Sequence, residues 1–220
     1  MTAKVQLDFV HRFVPAAPGG PAATLLLLHG TGGDEDDMIP LGRELLPGAA
    51  LLSPRGRVLE HGMPRFFRRL SMGVFDLEDL KVQTDALEHF VGAASRNYGF
   101  EKNQIIAVGY SNGANIAASE LLMHPKLLSR AILFRPMIPF RPGQDLDTTT
   151  PELKDKPVLV AAARHDQIVP TEQTVELSAI LTAAGARVTT HWHPGGHELG
   201  SDDVAAAKEW LSRETSAPTI

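Results

Sequence analysis

The order of apolar and amphipathic segments constrains the fold more than any other feature of this sequence. Six short, mostly apolar runs alternate with segments of helical periodicity. Continuous apolar runs of this length are typical of strands that are buried on both faces, and their alternation with helices indicates parallel strands joined by right-handed crossovers. The predicted strands are residues 23–29, 49–53, 104–109, 130–134, 157–163 and 187–193.

The segments between and after these strands have the periodicity of helices that bury one face. The predicted helices are residues 80–98, 112–124, 171–184 and 201–213. The second ends before Pro125, which disfavours helical geometry in the residue before it, and the third ends before Gly185, a common residue after a helix. Residues 4–14 alternate in polarity, which predicts an antiparallel edge strand.

The length of 220 residues fits one ordinary domain. We therefore expect residues 1–220 to form a single α/β domain, with a mostly parallel central sheet of about seven strands and helices on both faces. Two long segments, residues 54–79 and 135–156, match neither period and are predicted to be structureless loops. Each follows a strand, and ligands in open α/β sheets bind at the carboxyl ends of the strands.

Composition excludes several classes of protein. The chain has no cysteine, so disulfides and thiolate metal sites are excluded. Its formal charge is −5 without a long basic stripe, so we expect no nucleic-acid partner. The longest apolar run, residues 25–28, is too short to span a bilayer, and the first ten residues lack the apolar core of a signal peptide. We therefore expect a cytoplasmic protein with no membrane span.

Residues 109–113 (Gly-Tyr-Ser-Asn-Gly) match the pattern G-x-S-x-G. The pattern alone is weak evidence, but here it follows a predicted buried strand and opens a predicted helix. In this strand–turn–helix setting a serine is held at the tip of a sharp turn at the edge of the sheet. The glycines let the neighbouring backbone pass without a Cβ clash. Ser111 is therefore predicted to be a nucleophile.

A serine hydroxyl is a poor nucleophile until a base removes its proton. In sites built on such a turn, an acid and then a histidine follow the serine, each after a later strand. Asp166 lies three residues after the fifth predicted strand, and His197 follows the sixth in a Gly-Gly turn. Asp145, Asp147 and Asp155 precede the fifth strand and would lie at its other end. We therefore predict Asp166 as the acid and His197 as the base.

Acyl transfer also needs donors for the oxyanion that forms on the carbonyl. The backbone N–H of Asn112, directly after the nucleophile, is one predicted donor. The backbone N–H of Thr31, in the glycine-rich segment 29–33 after the first predicted strand, is the other. A glycine-rich segment of this kind also resembles a phosphate-binding loop, but it lacks the lysine and the spacing of that motif.

With these residues in place, the sequence resembles the phospholipase/carboxylesterase family of bacterial α/β-hydrolases, which includes acyl-protein thioesterases. The resemblance covers nearly the whole chain, and its motifs are residues 28–35, 109–113, 164–170 and 196–197. It implies an α/β-hydrolase fold and carries the nucleophile, acid and base to Ser111, Asp166 and His197. It also carries the oxyanion amides to Thr31 and Asn112.

Residues 29–35 and 64–69 look closest to a bacterial branch of this family that is linked to hydroquinone and quinone resistance. Acyl-protein thioesterases usually have a bulky apolar residue where Thr31 stands and glutamine where Asn112 stands. The resemblance therefore implies a serine esterase for small to medium esters that needs no cofactor. A thioesterase, a lysophospholipase or a C–C bond hydrolase with the same three residues remains an alternative. Related proteins are often dimers, which leaves a homodimer open.

The two long loops supply candidates for the substrate pocket. Phe66, Phe67 and Arg68 are predicted to form a pocket wall, with an arginine meeting an anionic group, and Met137 is predicted to line an apolar part. The alternative is that the aromatic residues anchor the loop and the arginines are solvated.

Three histidines, His191, His193 and His197, would suggest a metal-dependent hydrolase if they converged. We predict no metal, because no acidic residue stands at a ligand spacing to complete such a site. A non-catalytic binding protein on the same fold is a further alternative, but such proteins usually lack one of the three predicted catalytic residues.

Overall fold

A computed structural model of the protein describes residues 7–146 and 152–216. The first part of the predicted edge strand, residues 4–6, lies outside the described residues, as does Asp147. The strands are β1 (His11–Val14), β2 (Thr24–Leu28), β3 (Ala50–Pro54), β4 (Val58–Glu60), β5 (Met63–Arg65), β6 (Arg69–Ser71), β7 (Val74–Phe75), β8 (Ile105–Tyr110), β9 (Arg130–Phe134), β10 (Pro157–Ala163) and β11 (Arg187–His193). The helices are α1 (Ile39–Leu45), α2 (Leu77–Tyr98), α3 (Asn112–Met123), α4 (Thr171–Ala183) and α5 (Ser201–Ser216).

Seven strands form the central sheet, in the order β1-β3-β2-β8-β9-β10-β11. Strand β1 pairs with β3 in the antiparallel direction, and all the other pairs of this sheet are parallel. This confirms the predicted α/β class, the mostly parallel sheet and the number of its strands. Because the strands are parallel, the loops that follow β2, β8, β9, β10 and β11 all lie at one edge of the sheet.

The inner strands of the sheet are buried on both faces, as their apolar sequences require. In β2, Leu25 and Leu27 pack on one side, and Leu26 and Leu28 pack on the other. Helices α1 and α5 cover the first side, whereas α2, α3 and α4 cover the second. Within the described ranges, no helix is both long and apolar enough to cross a membrane.

The segment after β3 is more ordered than predicted. It contains two small antiparallel ribbons, β4–β5 and β6–β7, and the start of α2. The turns of both ribbons contain a glycine with positive φ, Gly62 at 82° and Gly73 at 74°, which glycine adopts without a Cβ penalty. Helix α2 begins three residues earlier than predicted, because the Asp76 side chain accepts a hydrogen bond from the Asp79 N–H and caps it.

Two further features differ from what the sequence predicted. The edge strand is shorter than predicted, because the described residues before His11 leave the sheet and Phe9 packs against Phe90, with ring centroids 4.8 Å apart. Helix α1, which has only seven residues, was not predicted. Neither feature follows from periodicity, because both depend on contacts with distant parts of the chain.

Candidate active site

Ser111 lies in a sharp turn between β8 and α3. Its φ is 52°, in a region that residues other than glycine rarely adopt, so the turn is strained. A Cβ on Gly109 would come within 2.5 Å of the Gly113 carbonyl oxygen, and a Cβ on Gly113 would overlap the Leu28 carbonyl. The two glycines are thus required because the backbone segments around the serine touch each other.

A chain of hydrogen bonds joins the three residues predicted as nucleophile, base and acid. Ser111 Oγ lies 2.9 Å from His197 Nε2, and His197 Nδ1 lies 2.8 Å from Asp166 Oδ2. In the tautomer in which Nδ1 donates to the Asp166 carboxylate, Nε2 is the acceptor that faces the serine hydroxyl. This arrangement allows the imidazole to take the hydroxyl proton.

The loop after β10 fixes the carboxylate of Asp166. The side chain is 1% exposed, and its Oδ1 accepts the backbone N–H groups of Ile168 and Val169 at 2.8 and 3.0 Å. These two bonds hold the carboxylate so that its Oδ2 faces His197.

An arginine that sequence analysis did not single out holds the backbone on both sides of His197. Arg135, the first residue after β9, donates to the carbonyls of Gly196 and Glu198 at 3.2 and 3.0 Å. It also donates to the carbonyl of Ala161 in β10, at 3.1 Å. The only trace of this role in the sequence is an arginine directly after a buried strand.

The charge of Arg135 is balanced by Asp203 of α5, and both side chains are fully buried. Two hydrogen bonds of 2.9 and 2.7 Å join the guanidinium to both carboxylate oxygens, the bidentate geometry that suits this pair. Burial opposes ionisation of Asp203, but the bonds from Arg135 and the Gly200 N–H hold its pKa below the usual 3.8.

A cleft of about 250 Å³ opens beside Ser111. The β4–β7 segment lines one part of it, and Met137 and Ile168 line another. The Met137 N–H donates to Asn115 Oδ1 at 2.7 Å, which fixes the start of the loop after β9. Met137, which was predicted to line an apolar part of the substrate pocket, lies on the wall of this cleft.

The two residues predicted as oxyanion donors, Thr31 and Asn112, both line the cleft next to Ser111. Both are tethered to the end of β5 and the residue that follows it. The Thr31 hydroxyl accepts a hydrogen bond of 2.6 Å from Arg65, and Asn112 Oδ1 accepts the Phe66 N–H at 2.7 Å. The same short segment thus positions the loop after β2 and the first residue of α3.

The predicted pocket wall needs correction. Phe66 and Phe67 are 1% and 0% exposed and lie in the core instead of lining the cleft. Arg68 also lies outside the cleft, where it forms ion pairs with acidic residues at the start of α2. The arginines that line the cleft are the neighbouring Arg65 and Arg69. Phe66 and Phe67 instead anchor the segment in the core, as the alternative prediction for these residues stated.

The three histidines considered as metal ligands do not converge. His191 Nε2 lies 3.6 Å from Asp203, His193 Nδ1 accepts the Gly195 N–H, and His197 contacts Ser111. Across the parts of the chain that the structure describes, no group of three or more His, Cys, Asp or Glu residues is arranged to hold a metal ion.

Comparison with known proteins shows the family to which this fold belongs. The sequence model of the phospholipase/carboxylesterase family matches residues 11–215. MhqD of Bacillus subtilis is 47% identical over 186 residues, which cover 84% of this chain and 90% of MhqD. The crystal structure of the Bacillus cereus carboxylesterase has a TM-score of 0.88 and 43% identity, and 94% of each chain is covered.

A second solved structure, that of YahD with malic acid, has a TM-score of 0.84 and 32% identity and covers 94% of this chain and 99% of YahD. The chain belongs to the phospholipase/carboxylesterase family. With solved relatives that are named carboxylesterases, this makes it a hydrolase of the carboxylesterase type.

Proposed function

We propose that the protein hydrolyses small carboxylic esters through a covalent acyl-enzyme intermediate on Ser111. The observation that carries this proposal is the chain of hydrogen bonds from Ser111 Oγ through His197 to Asp166. In this assignment Ser111 is the nucleophile, His197 is the general base and acid, and Asp166 holds the imidazole in the required tautomer.

In the first half-reaction, Ser111 Oγ attacks the ester carbonyl while His197 Nε2 takes the hydroxyl proton. The carbonyl oxygen becomes an oxyanion, which the backbone N–H groups of Thr31 and Asn112 stabilise. One such donor typically contributes about 2.7–4 kcal/mol to transition-state stabilisation. The tetrahedral intermediate then collapses, and His197 gives its proton to the leaving alcohol.

In the second half-reaction, a water molecule attacks the acyl-enzyme, again with His197 as base, and the acid is released. The size of the cleft supports small substrates, because about 250 Å³ is below the range of roughly 300–1,000 Å³ that holds drug-sized ligands. That the related YahD was solved with malic acid, a small dicarboxylic acid, agrees with this size.

The experiment that tests this proposal is labelling with a fluorophosphonate probe, followed by hydrolysis of short-chain aryl esters. The wild type is expected to be labelled, and Ser111→Ala is expected to lose both the label and at least about a thousandfold of kcat. Without the Ser111 hydroxyl no acyl-enzyme forms, and only binding and oxyanion stabilisation remain.

The matched control is Ser71→Ala, which removes the hydroxyl of an exposed serine in the β6–β7 ribbon and should leave labelling and hydrolysis unchanged. A wild-type protein that takes up no probe and hydrolyses no ester would contradict the proposal and favour a binding protein on the same fold. Full activity of Ser111→Ala would equally rule out Ser111 as the nucleophile.

A further inference from the structure

The charged side chains on the wall of the cleft are positive. Apart from His197, the ionisable groups there include two guanidiniums, Arg65 and Arg69, and among the described residues that line the cleft none is acidic. Arg65 is 3% exposed and Arg69 is 22% exposed, so both are largely shielded from solvent. Charges in such a setting act on a ligand much more strongly than charges on an open surface.

Both arginines form an ion pair with the same carboxylate, that of Glu60 in β4. Arg69 Nε donates to Glu60 Oε1 at 2.9 Å, and Arg65 Nη1 lies 3.5 Å from Glu60 Oε2. The hydrogen bond from Arg69 and the two positive charges hold the pKa of Glu60 below its usual range, so this carboxyl is ionised at neutral pH. Among the residues that the structure describes, two positive charges face one negative charge, which leaves one positive charge uncompensated beside the cleft.

The guanidinium of Arg65 still has donors to offer. Its hydrogen bonds to described residues use Nε, which donates to the Phe67 carbonyl at 3.2 Å, and Nη1, which donates to Thr31. Nη2 remains available to a ligand in the cleft. The side chain is fixed by these bonds and by packing over the Phe67 ring, 5.8 Å from its centroid, so little further ordering is needed when a ligand binds.

We propose that Arg65, assisted by Arg69, binds a carboxylate on the substrate, so that the protein prefers esters that carry a carboxylate over neutral esters of the same shape. This inference rests on the proposed function, because it assigns the substrate class of the same site. The bond from Arg65 to the Thr31 hydroxyl places the carboxylate subsite beside the predicted oxyanion donor, within reach of a short acyl or alcohol chain.

The test compares two aryl esters of one short dicarboxylic acid, in which the second carboxyl is either free or converted to the neutral amide. The two esters have almost the same shape and the same leaving group, so the ratio of their kcat/KM values reports charge recognition alone. This ratio does not depend on the concentration of active enzyme, so partial unfolding of a variant does not change it.

The wild type is expected to favour the anionic ester by about tenfold or more, as a charge-assisted hydrogen bond provides. Arg65→Gln should remove most of this preference, and Arg69→Gln, which acts from a greater distance, should reduce it by about threefold. Arg65→Lys keeps the charge but loses the planar fork, and should retain an intermediate preference. Added salt should weaken the preference of the wild type.

Arg68→Gln is the matched control, because it removes the same charge from the adjacent position, where the side chain is 61% exposed and outside the cleft. Its ratio should equal that of the wild type. A wild type without preference for the anionic ester would overturn the inference. So would an Arg65→Gln variant that slows both esters equally, because that result would give Arg65 a structural role only.

Calorimetric titration with succinate separates this inference from the proposed function, since it requires no catalysis. Binding that is lost in Arg65→Gln and kept in Arg68→Gln supports the carboxylate subsite even if Ser111 proves not to be the nucleophile. Ester hydrolysis that depends on Ser111, without binding of succinate and without preference for the anionic ester, would leave the proposed function standing and overturn the subsite.

Discussion

Two buried arginines near Ser111, Arg135 and Arg65, differ in how completely their charges are balanced. Arg135 has a carboxylate of its own, and its remaining donors reach three backbone carbonyls. Arg65 shares the single carboxylate of Glu60 with Arg69, and it lines a cleft. Among the described residues, acceptors use every donor of Arg135, whereas Arg65 keeps a donor without an acceptor and a charge that is not fully balanced.

This difference shows how to distinguish a buried cation that stabilises the fold from one that binds a ligand. Desolvation of a guanidinium is costly unless the protein supplies an equal and opposite charge. Where the compensation is complete, as for Arg135, the group stabilises the fold around it. Where it is incomplete and the group faces a cleft, as for Arg65, an anionic ligand can supply the missing charge.

The largest effect is expected from breaking the balanced pair. Arg135→Met leaves the Asp203 carboxylate buried without its partner, which should lower the free energy of unfolding by about 3–5 kcal/mol. The same change removes both bonds that hold the backbone around His197, so the activity of the remaining folded protein should also fall. Urea denaturation and ester kinetics on the same samples measure the two effects.

The double variant Arg135→Met/Asp203→Leu distinguishes folding from positioning. It removes both charges, so most of the stability should return, but kcat should stay at least about tenfold below the wild type while KM changes less, because the His197 loop remains unsupported. Recovery of both stability and kcat would show that Arg135 acts on the fold alone. An Arg135→Met variant as stable as the wild type would contradict the buried pair itself.

A smaller effect is expected from increasing the uncompensated positive charge at Arg65. Glu60→Gln removes the shared negative charge but keeps an oxygen that can accept the Arg69 hydrogen bond. The preference for the anionic over the neutral ester should therefore rise by about three- to tenfold, most clearly at low ionic strength. The measurement is again the ratio of the two kcat/KM values. An unchanged or reduced ratio would mean that Glu60 does not offset the charge that the substrate meets.

The smallest effect is expected at Arg68, whose ion pairs lie at the surface. Arg68→Gln should change the free energy of unfolding by less than about 0.5 kcal/mol, because exposed ion pairs contribute little. Thermal or urea unfolding measures this. A loss as large as that of Arg135→Met would show that exposure is a poor guide to the role of an arginine in this protein.

The central sheet was predictable because its inner strands are buried on both faces and therefore read as continuous apolar runs. Strands β9 and β10 begin and end at the predicted residues, and so does β11, although it is a partly exposed edge strand. Helices α3 and α4 end within one residue of the prediction. The turn at Ser111 was predictable for a related reason. Its glycines, its strand and its helix are adjacent in the chain, so the whole turn is encoded locally.

The walls of the cleft were not predictable in the same way. Arg65, Arg68 and Arg69 lie within five positions of one another in a short polar segment, and nothing in their order tells which are buried. Their exposure is decided by the ribbons and by Phe66 and Phe67, which anchor the segment in the core. The role of Arg135 likewise depends on partners from β10, α5 and the loop after β11, all distant in sequence.

The contacts of Arg135 also bear on how the catalytic parts could be moved between scaffolds. The orientation of His197 is encoded partly by a residue 61 positions before its neighbour Gly196, on a different strand. A graft that carried only the loop around His197 would therefore transfer the imidazole without the contacts that orient it. A transferable unit must include the loop together with Arg135, Asp203 and Asp166, which contacts His197 directly. Engineering with this proposed base must therefore treat four separate chain segments as one part.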